Sequence, residues 1–164
     1  MNDKIKAVCS WLESIETDYR IFYHPAAFTI EECKKVEQTT EGKICKNLLL
    51  TTTNGSVYYL LMLSGDKKFV TKDISKKLGT SRLSFASAEK MRELLNTEPG
   101  SLSITGLLFD KGKKVMLAID SDVLKDEFIC CHPSDNTATL KIKTKDLTEK
   151  LLPSLGTDPV IIDV

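Results

Sequence analysis

The stretch that decides the fold is KNLLLTTTNGSVYYLLML, residues 46–63. It predicts two strands, Lys46 to Thr53 and Ser56 to Leu63. Their apolar runs, Leu48–Leu50 and Tyr58–Leu63, are too short to cross a bilayer. Asn54-Gly55 lies between them and suits a tight turn whose central residues have positive φ. The stretch therefore predicts an antiparallel hairpin built from buried strands.

Helical and strand patterns alternate along the rest of the chain. Helices are expected to be capped by Asn2 or Asp3, by Thr71 and by Ser87, and Thr29 to Glu32 has the spacing of a capping box that starts another helix. Residues 146–152 are also expected to be helical. Strands are expected over residues 19–24, 83–85, 105–109, 114–119, 127–131, 137–142 and 160–162. The segments 105–109 and 114–119 are expected to pair as a second hairpin around Lys111-Gly112.

Together these patterns predict an α+β fold. Hairpins produce antiparallel strand pairs, whereas helices between strands produce crossovers. We therefore expect a mixed, largely antiparallel sheet with surrounding helices, and not a doubly wound parallel sheet. A chain of 164 residues has the length of one domain, so residues 1–164 are expected to form a single domain.

The charge and cysteine content restrict the possible partners and compartment. The 23 basic residues balance 23 acidic ones, which argues against binding along a long duplex such as DNA, because that affinity comes mainly from phosphate neutralisation. A small contact with an anionic ligand remains compatible. The five cysteines include no CxxC pair, and the N-terminus lacks an apolar signal segment. We expect reduced thiols, a cytoplasmic protein and no membrane contact.

A polar loop, Cys131 to Thr139, contains one of the two histidines, His132, immediately before an alternating strand pattern. Adjacent residues on an extended chain point to opposite faces, so Cys131 and His132 are poorly placed to form a catalytic thiolate–imidazolium pair. His132 either lines a pocket or locks its loop through a backbone hydrogen bond. Zinc is disfavoured because paired-cysteine spacing is absent, and no metal or cofactor is expected.

Lys46 and two other polar features also have open interpretations. The stem of Lys46 can lie along apolar surface while its ammonium reaches a pocket mouth, or the residue is only a strand-edge charge. Pro99-Gly100-Ser101 is a turn that can expose backbone N–H groups.

A basic run comprises Lys67, Lys68, Lys72, Lys76, Lys77 and Arg82. Such a run is usually a solvated face, although it can also meet a phosphate backbone at the rim of a site.

Six segments occur in the order found in one known family. They are Tyr23–Thr29, Cys45–Leu48, Arg82–Ala86, Pro99–Ser101, His132–Thr139 and Leu155–Ile161. Through these segments and their order, the chain resembles the YbaK and prolyl-tRNA-synthetase-insertion editing superfamily. Its closest likeness is to the freestanding ProX or PrdX type, the alanyl-tRNA(Pro) deacylases, and the resemblance spans essentially the whole chain.

This resemblance implies a mixed sheet curled around a pocket, and hydrolysis of the ester that joins a wrong amino acid to the terminal adenosine of tRNA. Lys46 matches the signature functional lysine of the family, and Gly100 and His132 match loops that border its pocket. One departure is Ile104, which occupies a position that is often proline in the family's glycine loop.

Ester hydrolysis requires charge stabilisation at the carbonyl oxygen and a positioned water. The expected catalytic residue is Lys46, and the expected substrate-binding residues are Asn47, Gly100, Ser101, His132 and Asn136. We expect the lysine and Asn47 to hold the terminal phosphate or ribose, and the glycine loop N–H groups to hold the carbonyl. The histidine and Asn136 are expected to shape the aminoacyl pocket. No strong base is evident, so the ribose 2′-hydroxyl is expected to help activate water.

The expected partner is aminoacyl-tRNA, contacted at its CCA end and acceptor stem, and prolyl-tRNA synthetase is a second candidate. The expected substrate is Ala-tRNA(Pro), because a synthetase pocket shaped for proline excludes the smaller alanine poorly. Two alternatives remain open. One is a deacylase for Cys-tRNA(Pro) or another mischarged tRNA, and the other is a non-catalytic module that binds tRNA or a synthetase on the same scaffold.

Overall fold

The computed structural model of the chain describes residues 2–27, 29–65 and 67–164, so Phe28 of the Tyr23–Thr29 segment lies outside the described residues. Eight strands are present in the described part: β1 Tyr19–Tyr23, β2 Lys46–Thr52, β3 Tyr58–Leu63, β4 Leu83–Phe85, β5 Val115–Asp120, β6 Phe128–Cys131, β7 Ala138–Lys143 and β8 Val160–Ile162. They form a five-stranded sheet in the order β4-β2-β3-β5-β8 and a three-stranded sheet in the order β1-β7-β6.

The hairpin predicted from residues 46–63 is confirmed. Strands β2 and β3 pair antiparallel, with Lys46 opposite Leu63. The turn differs from the expected one, because the Gly55 N–H donates to the Thr52 carbonyl at 2.8 Å and Thr53 and Asn54 are therefore its central residues. Only Gly55, which closes the turn, has a positive φ, of +66°. Strand β4 pairs antiparallel with β2, while β5 pairs parallel with β3 and β8 pairs parallel with β5. In the smaller sheet, β7 pairs antiparallel with both neighbours. The arrangement is therefore mixed and largely antiparallel, as expected.

A short junction connects the two sheets. Ile44 and Cys130 form a parallel bridge, and the Cys45 N–H donates to the Cys130 carbonyl at 2.9 Å. Lys46 and His132 each follow two residues after this bridge. Bridge partners share a face, and so do residues two apart on an extended chain. The side chains of Lys46 and His132 therefore leave the junction on the same face of the sheets.

Six α-helical segments surround the sheets in the described part: α1 Asp3–Ser14, α2 Ile30–Thr40, α3 Thr71–Leu78, α4 Ala88–Leu95, α5 Thr144–Asp146 and α6 Leu152–Leu155. The largest hydrophobic cluster joins α1, α4 and the C-terminal helical region to both sheets. A second cluster packs Ile74 of α3 against Leu50 and Leu61 on the opposite face. Helix α2 covers Cys130 on this second face, which we call the α2–α3 face.

Side-chain caps fix three of the predicted helix starts. The Asn2 side chain accepts the Ile5 N–H, Thr29 and Glu32 form a capping box, and Ser87 caps α4. The predicted cap at Thr71 is wrong, because Val70 is the N-cap of α3, no side chain caps that end, and Thr71 is the first helical residue. None of the described helices combines the length and apolar composition that a membrane crossing requires.

The predicted second hairpin around Lys111-Gly112 is also wrong. Residues Ile104–Phe109 form a 3₁₀-helix, and β5 pairs with β3 and β8 instead. The Ser103 hydroxyl accepts the Thr105 N–H at the start of this helix, which favours a turn over an extended chain. The Asp110 carboxylate then accepts the Lys114 and Val115 N–H groups at 3.1 and 2.8 Å. These bonds direct the chain into β5 without a return along residues 105–109.

The predicted C-terminal helix is present, with an irregular middle. Helix α5 leads into a π-helical turn over Leu147–Leu151, and α6 follows. Pro153 lacks an N–H group and so cannot donate to the carbonyl four residues before it. Its presence is consistent with the wider turn at this point, because the Leu152 N–H donates five residues back to Leu147.

Candidate active site

His132 locks its own loop through a backbone hydrogen bond, which is one of its two predicted roles. Its Nδ1 lies 2.9 Å from the Ala138 carbonyl, which can only accept, so Nδ1 carries the proton and donates. The residue is 8% exposed, and this burial lowers its pKa from the usual value. At neutral pH, Nε2 therefore carries a lone pair, and no described residue hydrogen-bonds to it. The ring locks its own loop and also keeps a free acceptor.

His24 is a neighbour that the sequence analysis did not select as a site residue. Its ring centroid lies 6.3 Å from that of His132. Because Nδ1 donates to the Pro25 carbonyl at 2.9 Å, Nε2 accepts from the Thr139 hydroxyl at 2.8 Å. The sequence signal was present, since His24 is the other histidine and lies in the Tyr23–Thr29 segment. Nothing local indicated that its ring would approach His132.

A cavity of about 400 Å³ lies beside this histidine pair on the α2–α3 face. Its walls are residues 22–27, which include His24, and one side of α2 with Val36, Thr39 and Thr40. Most of this wall is aromatic or aliphatic, and two charged side chains, Glu32 and Lys35, stand at it. The cavity is therefore a largely apolar recess that His24 connects to His132.

Lys46 lies at the start of β2 with an exposed side chain. Its ammonium nitrogen is 5.1 Å from the ring centroid of Phe69, and it makes no ion pair with any residue in the described ranges. The Phe69 ring meets Phe85 edge-on at 6.1 Å. Lys46 does not line the cavity beside His24. Its position is that of a cation at the sheet junction, held against an aromatic ring and reaching solvent.

Asn47 points to the opposite face from Lys46, as neighbours on a strand must. Its amide nitrogen donates to the Cys45 carbonyl at 3.1 Å. Its Oδ1 is buried and has no hydrogen-bond partner among the described residues. The two side chains that sequence analysis joined at one substrate group therefore lie on different faces, and Asn47 contacts the junction through Cys45.

The glycine loop is a type II turn with its expected residues. Pro99 and Gly100 occupy the two central positions, and Gly100 has a φ of +88°. The turn is closed by the Ser101 N–H, which donates to the Glu98 carbonyl at 2.9 Å. That N–H is consequently occupied, whereas the Gly100 N–H donates to no described residue. The loop offers one backbone donor where the sequence suggested two.

Buried hydroxyls join the glycine loop to the histidine loop. The side chains of Ser103 and Thr105 both donate to the His132 carbonyl, and Thr105 shares a 2.9 Å hydrogen bond with Ser134. Asn136 is buried in the same loop, and its side chain bonds to no described residue. Ser103 and Thr105 were not selected from the sequence, because their shared partner lies 29 and 27 residues further along the chain.

Cys131 is unsuited to nucleophilic catalysis. It is fully buried in the largest hydrophobic cluster, on the face opposite His132, and burial strongly raises the pKa of its thiol. A thiol in this state carries no thiolate near neutral pH. The described residues therefore provide the candidate site with a neutral histidine, a lysine and one free backbone donor, and they include no activated side-chain nucleophile there.

Comparison with known proteins identifies the family. The sequence model of the aminoacyl-tRNA editing domain matches residues 24–150. The chain belongs to the aminoacyl-tRNA editing domain family. The prolyl-tRNA editing protein ProX of Acetoanaerobium sticklandii is 31% identical to this editing domain over 154 residues, which are 94% of this chain and 93% of that protein. The prolyl-tRNA synthetase associated domain-containing protein 1 of Bos taurus is 31% identical over 144 residues, 85% of this chain and 83% of that protein.

A solved structure supports the fold of this editing domain. A proposed trans-editing enzyme for prolyl-tRNA synthetase superposes with a TM-score of 0.75 over 99% of this chain and 97% of that one, at 19% identity. The resemblance drawn from the six sequence segments is confirmed by the family match. So is the predicted class of enzyme, a hydrolase that acts on mischarged aminoacyl-tRNA.

Proposed function

We propose that this editing domain acts in trans on mischarged tRNA(Pro), with Ala-tRNA(Pro) as its main substrate. Two relatives support this substrate class through their names, since one is a prolyl-tRNA editing protein and the other contains a prolyl-tRNA synthetase associated domain. The synthetase discriminates weakly against alanine, because each missing methylene contributes only about 1–3 kcal/mol of selectivity. A separate pocket that admits alanine and rejects proline by size supplies the second selection.

The observation that carries the proposal is the sheet junction. The Cys45–Cys130 hydrogen bond fixes the segments that lead into Lys46 and His132, so both side chains leave on one face. On that face, His24 connects His132 to a cavity of about 400 Å³, which lies within the range of about 300–1,000 Å³ typical of ligand sites. A cation and a neutral imidazole thus leave the junction on one face, and an apolar recess lies beside His24 on that face, which supports binding of an aminoacyl-adenosine end there.

Each proposed residue has a role that its geometry permits. The Lys46 ammonium leaves the Phe69 ring and binds the terminal phosphate or ribose, since four flexible bonds give it reach. The Nε2 lone pair of His132 accepts a hydrogen bond from the ammonium group of the bound amino acid. The free N–H of Gly100 donates to the ester carbonyl, where negative charge develops in the transition state.

The remaining residues shape these groups. Ser101 closes the turn that orients Gly100, and Asn136 fills the aminoacyl side of the histidine loop. Asn47 restrains the main chain before Lys46 through its bond to Cys45. Because burial lowers the pKa of His132, this imidazole is a weak base, and the ribose 2′-hydroxyl assists the attacking water. Water adds to the carbonyl, the bond to the ribose oxygen breaks, and free alanine and tRNA are released.

The experiment is a deacylation assay with Ala-tRNA(Pro), Cys-tRNA(Pro) and Pro-tRNA(Pro) at equal concentrations, with release of each amino acid followed over time. We expect fast release of alanine and no release of proline above the uncatalysed rate. Preferential release of cysteine would replace the alanine assignment with the cysteine-specific alternative. Retention of intact aminoacyl-tRNA in a stable complex, without hydrolysis, would contradict the enzymatic proposal and support a binding module.

We also propose that the domain acts in the cytoplasm. The proposed region of contact on the tRNA is the CCA end and acceptor stem. All five cysteines are free thiols, which agrees with a reducing compartment. The balanced total charge agrees with a contact that is limited to one end of the RNA. Prolyl-tRNA synthetase is a further proposed partner, to which the tRNA returns after deacylation.

A further inference from the structure

A row of aromatic rings runs from Lys46 across the α2–α3 face into solvent. The Lys46 ammonium contacts the Phe69 ring at 5.1 Å, and Phe69 meets Phe85 at 6.1 Å with ring planes 78° apart. Phe85 is 59% exposed. It lies on β4 opposite Leu50 of β2, and so on the same sheet face as Lys46. More than half of this side chain therefore stays open to solvent in spite of its contact with Phe69.

Unpaired cations lie between Phe69 and Phe85 along the chain, on α3 and just after it. Lys72, Lys76 and Arg82 line a cleft of about 640 Å³ beside α3, and none of the three forms an ion pair with a described residue. Other lysines of the same basic run are already engaged, since Lys67 bridges Asp120 and Asp122 and Lys77 donates to the Asp163 carbonyl. The basic run of the sequence is therefore divided into anchored and available charges.

We propose that Phe85 and Phe69, with Lys72, Lys76 and Arg82, form the surface that binds the single-stranded 3′ end of the tRNA. This inference rests on the proposed function, and it adds the surface that guides the RNA to Lys46. An unpaired base stacks on Phe85, and the phosphates of the same strand lie along the α3 cations. We call this set of five residues the strand-binding surface.

Three features of the strand-binding surface favour single-stranded RNA over another partner. Single strands are bound by exposed aromatic rings next to cations that follow the backbone. The surface is locally basic in a chain of zero net charge, because α3 carries three lysines and one aspartate. Phe85 lies two aromatic contacts away from Lys46, so a base that stacks on Phe85 belongs to a nucleotide that precedes the terminal adenosine held at Lys46.

The test compares Phe85→Ala and Phe85→Trp with wild type on two substrates, Ala-tRNA(Pro) and the small ester 3′-alanyl-adenosine, which lacks the preceding nucleotides. We expect Phe85→Ala to raise KM for the tRNA by about 5- to 100-fold, the equivalent of one lost stacking contact. Its kcat should change by less than about twofold, its KM for alanyl-adenosine should be unchanged, and Phe85→Trp should restore the tRNA KM. Met116→Ala removes another exposed apolar side chain and serves as the control.

Binding is measured separately by fluorescence anisotropy with a labelled single-stranded RNA that ends in CCA, so the result does not depend on hydrolysis. The double variant Lys72→Gln/Lys76→Gln should reduce the slope of log affinity against log salt by about 0.7 for each lysine. The charge-matched control Lys6→Gln/Lys145→Gln should leave the slope unchanged.

Several results would overturn the strand-binding surface. One is wild-type KM for tRNA in Phe85→Ala. Another is an equal rise in KM for alanyl-adenosine, which would indicate a general defect of the site. A third is unchanged RNA binding accompanied by lost binding to prolyl-tRNA synthetase, which would assign the surface to a protein. If wild type binds the RNA through Phe85 and hydrolyses neither substrate, only the proposed function fails.

Discussion

Gly42→Ala probes the junction that carries Lys46 and His132. A Cβ atom at position 42 would lie 2.6 Å from the Cys130 Sγ, well inside van der Waals contact, and Cys130 is fully buried. We expect this overpacking to lower the free energy of unfolding by about 1–3 kcal/mol. Cys130→Ala removes one buried heavy atom and should cost about 1 kcal/mol, comparable to a buried methylene.

The double variant Gly42→Ala/Cys130→Ala should be more stable than the sum of the single effects predicts. The new methyl group fills space left by the sulfur, so we expect a favourable coupling of about 1 kcal/mol or more. Urea unfolding of the four proteins gives these values from the midpoint, provided that the m-value stays constant. Additivity to within about 0.5 kcal/mol would show that the two positions do not meet, and would refute the described packing of the junction.

Four further predictions concern the loops and the site. Gly100→Ala places a side chain at φ +88° and should lower the free energy of unfolding in urea by about 1–2 kcal/mol. A parallel loss of kcat is expected. If neither the unfolding free energy nor kcat changed, the turn would tolerate a Cβ atom. Asp110→Ala deprives the Lys114 and Val115 N–H groups of their acceptor and should lower the free energy of unfolding, measured by thermal denaturation, by about 1–3 kcal/mol. Asp110→Asn should lower it by less. Burial lowers the pKa of His132 below the usual 6.5, so the unfolded chain binds a proton before the folded chain as pH falls. The stability of the wild type, measured as the urea midpoint, should therefore decrease below about pH 6.5. The urea midpoint of His132→Asn should depend less on pH. Cys131→Ser should retain most deacylase activity, and complete loss in a folded variant would indicate a thiol mechanism.

The parts of the fold that local chemistry determines were predictable. Asn54-Gly55 marks the hairpin loop, although the turn is centred one residue earlier. Asn2, Thr29 and Ser87 each cap a helix within three residues along the chain. The second hairpin could not be excluded in this way. Lys111-Gly112 is a plausible turn by itself, and the bonds of Asp110 and the long-range parallel pairing of β5 with β3 decide against it.

The candidate site was predictable in its residues more than in its arrangement. Lys46 and His132 stood out from their motifs, and their common face depends on a bridge between residues 86 positions apart. The separation of Lys46 from Asn47 follows from strand alternation, a local rule, and it could have been drawn from the sequence. The approach of His24 to His132 and the bonds of Ser103 and Thr105 to the His132 carbonyl join distant segments, so no local pattern reveals them.

The measurement that tests the central claim most directly is single-turnover hydrolysis of Ala-tRNA(Pro) by Lys46→Ala and Lys46→Arg. The side chain is exposed and makes no ion pair in the described part of the structure, so neither change should alter the urea midpoint. We expect Lys46→Ala to abolish deacylation and Lys46→Arg, which keeps the charge, to retain a measurable fraction. Turnover by folded Lys46→Ala at the wild-type rate would contradict the account and remove this ammonium from the chemistry.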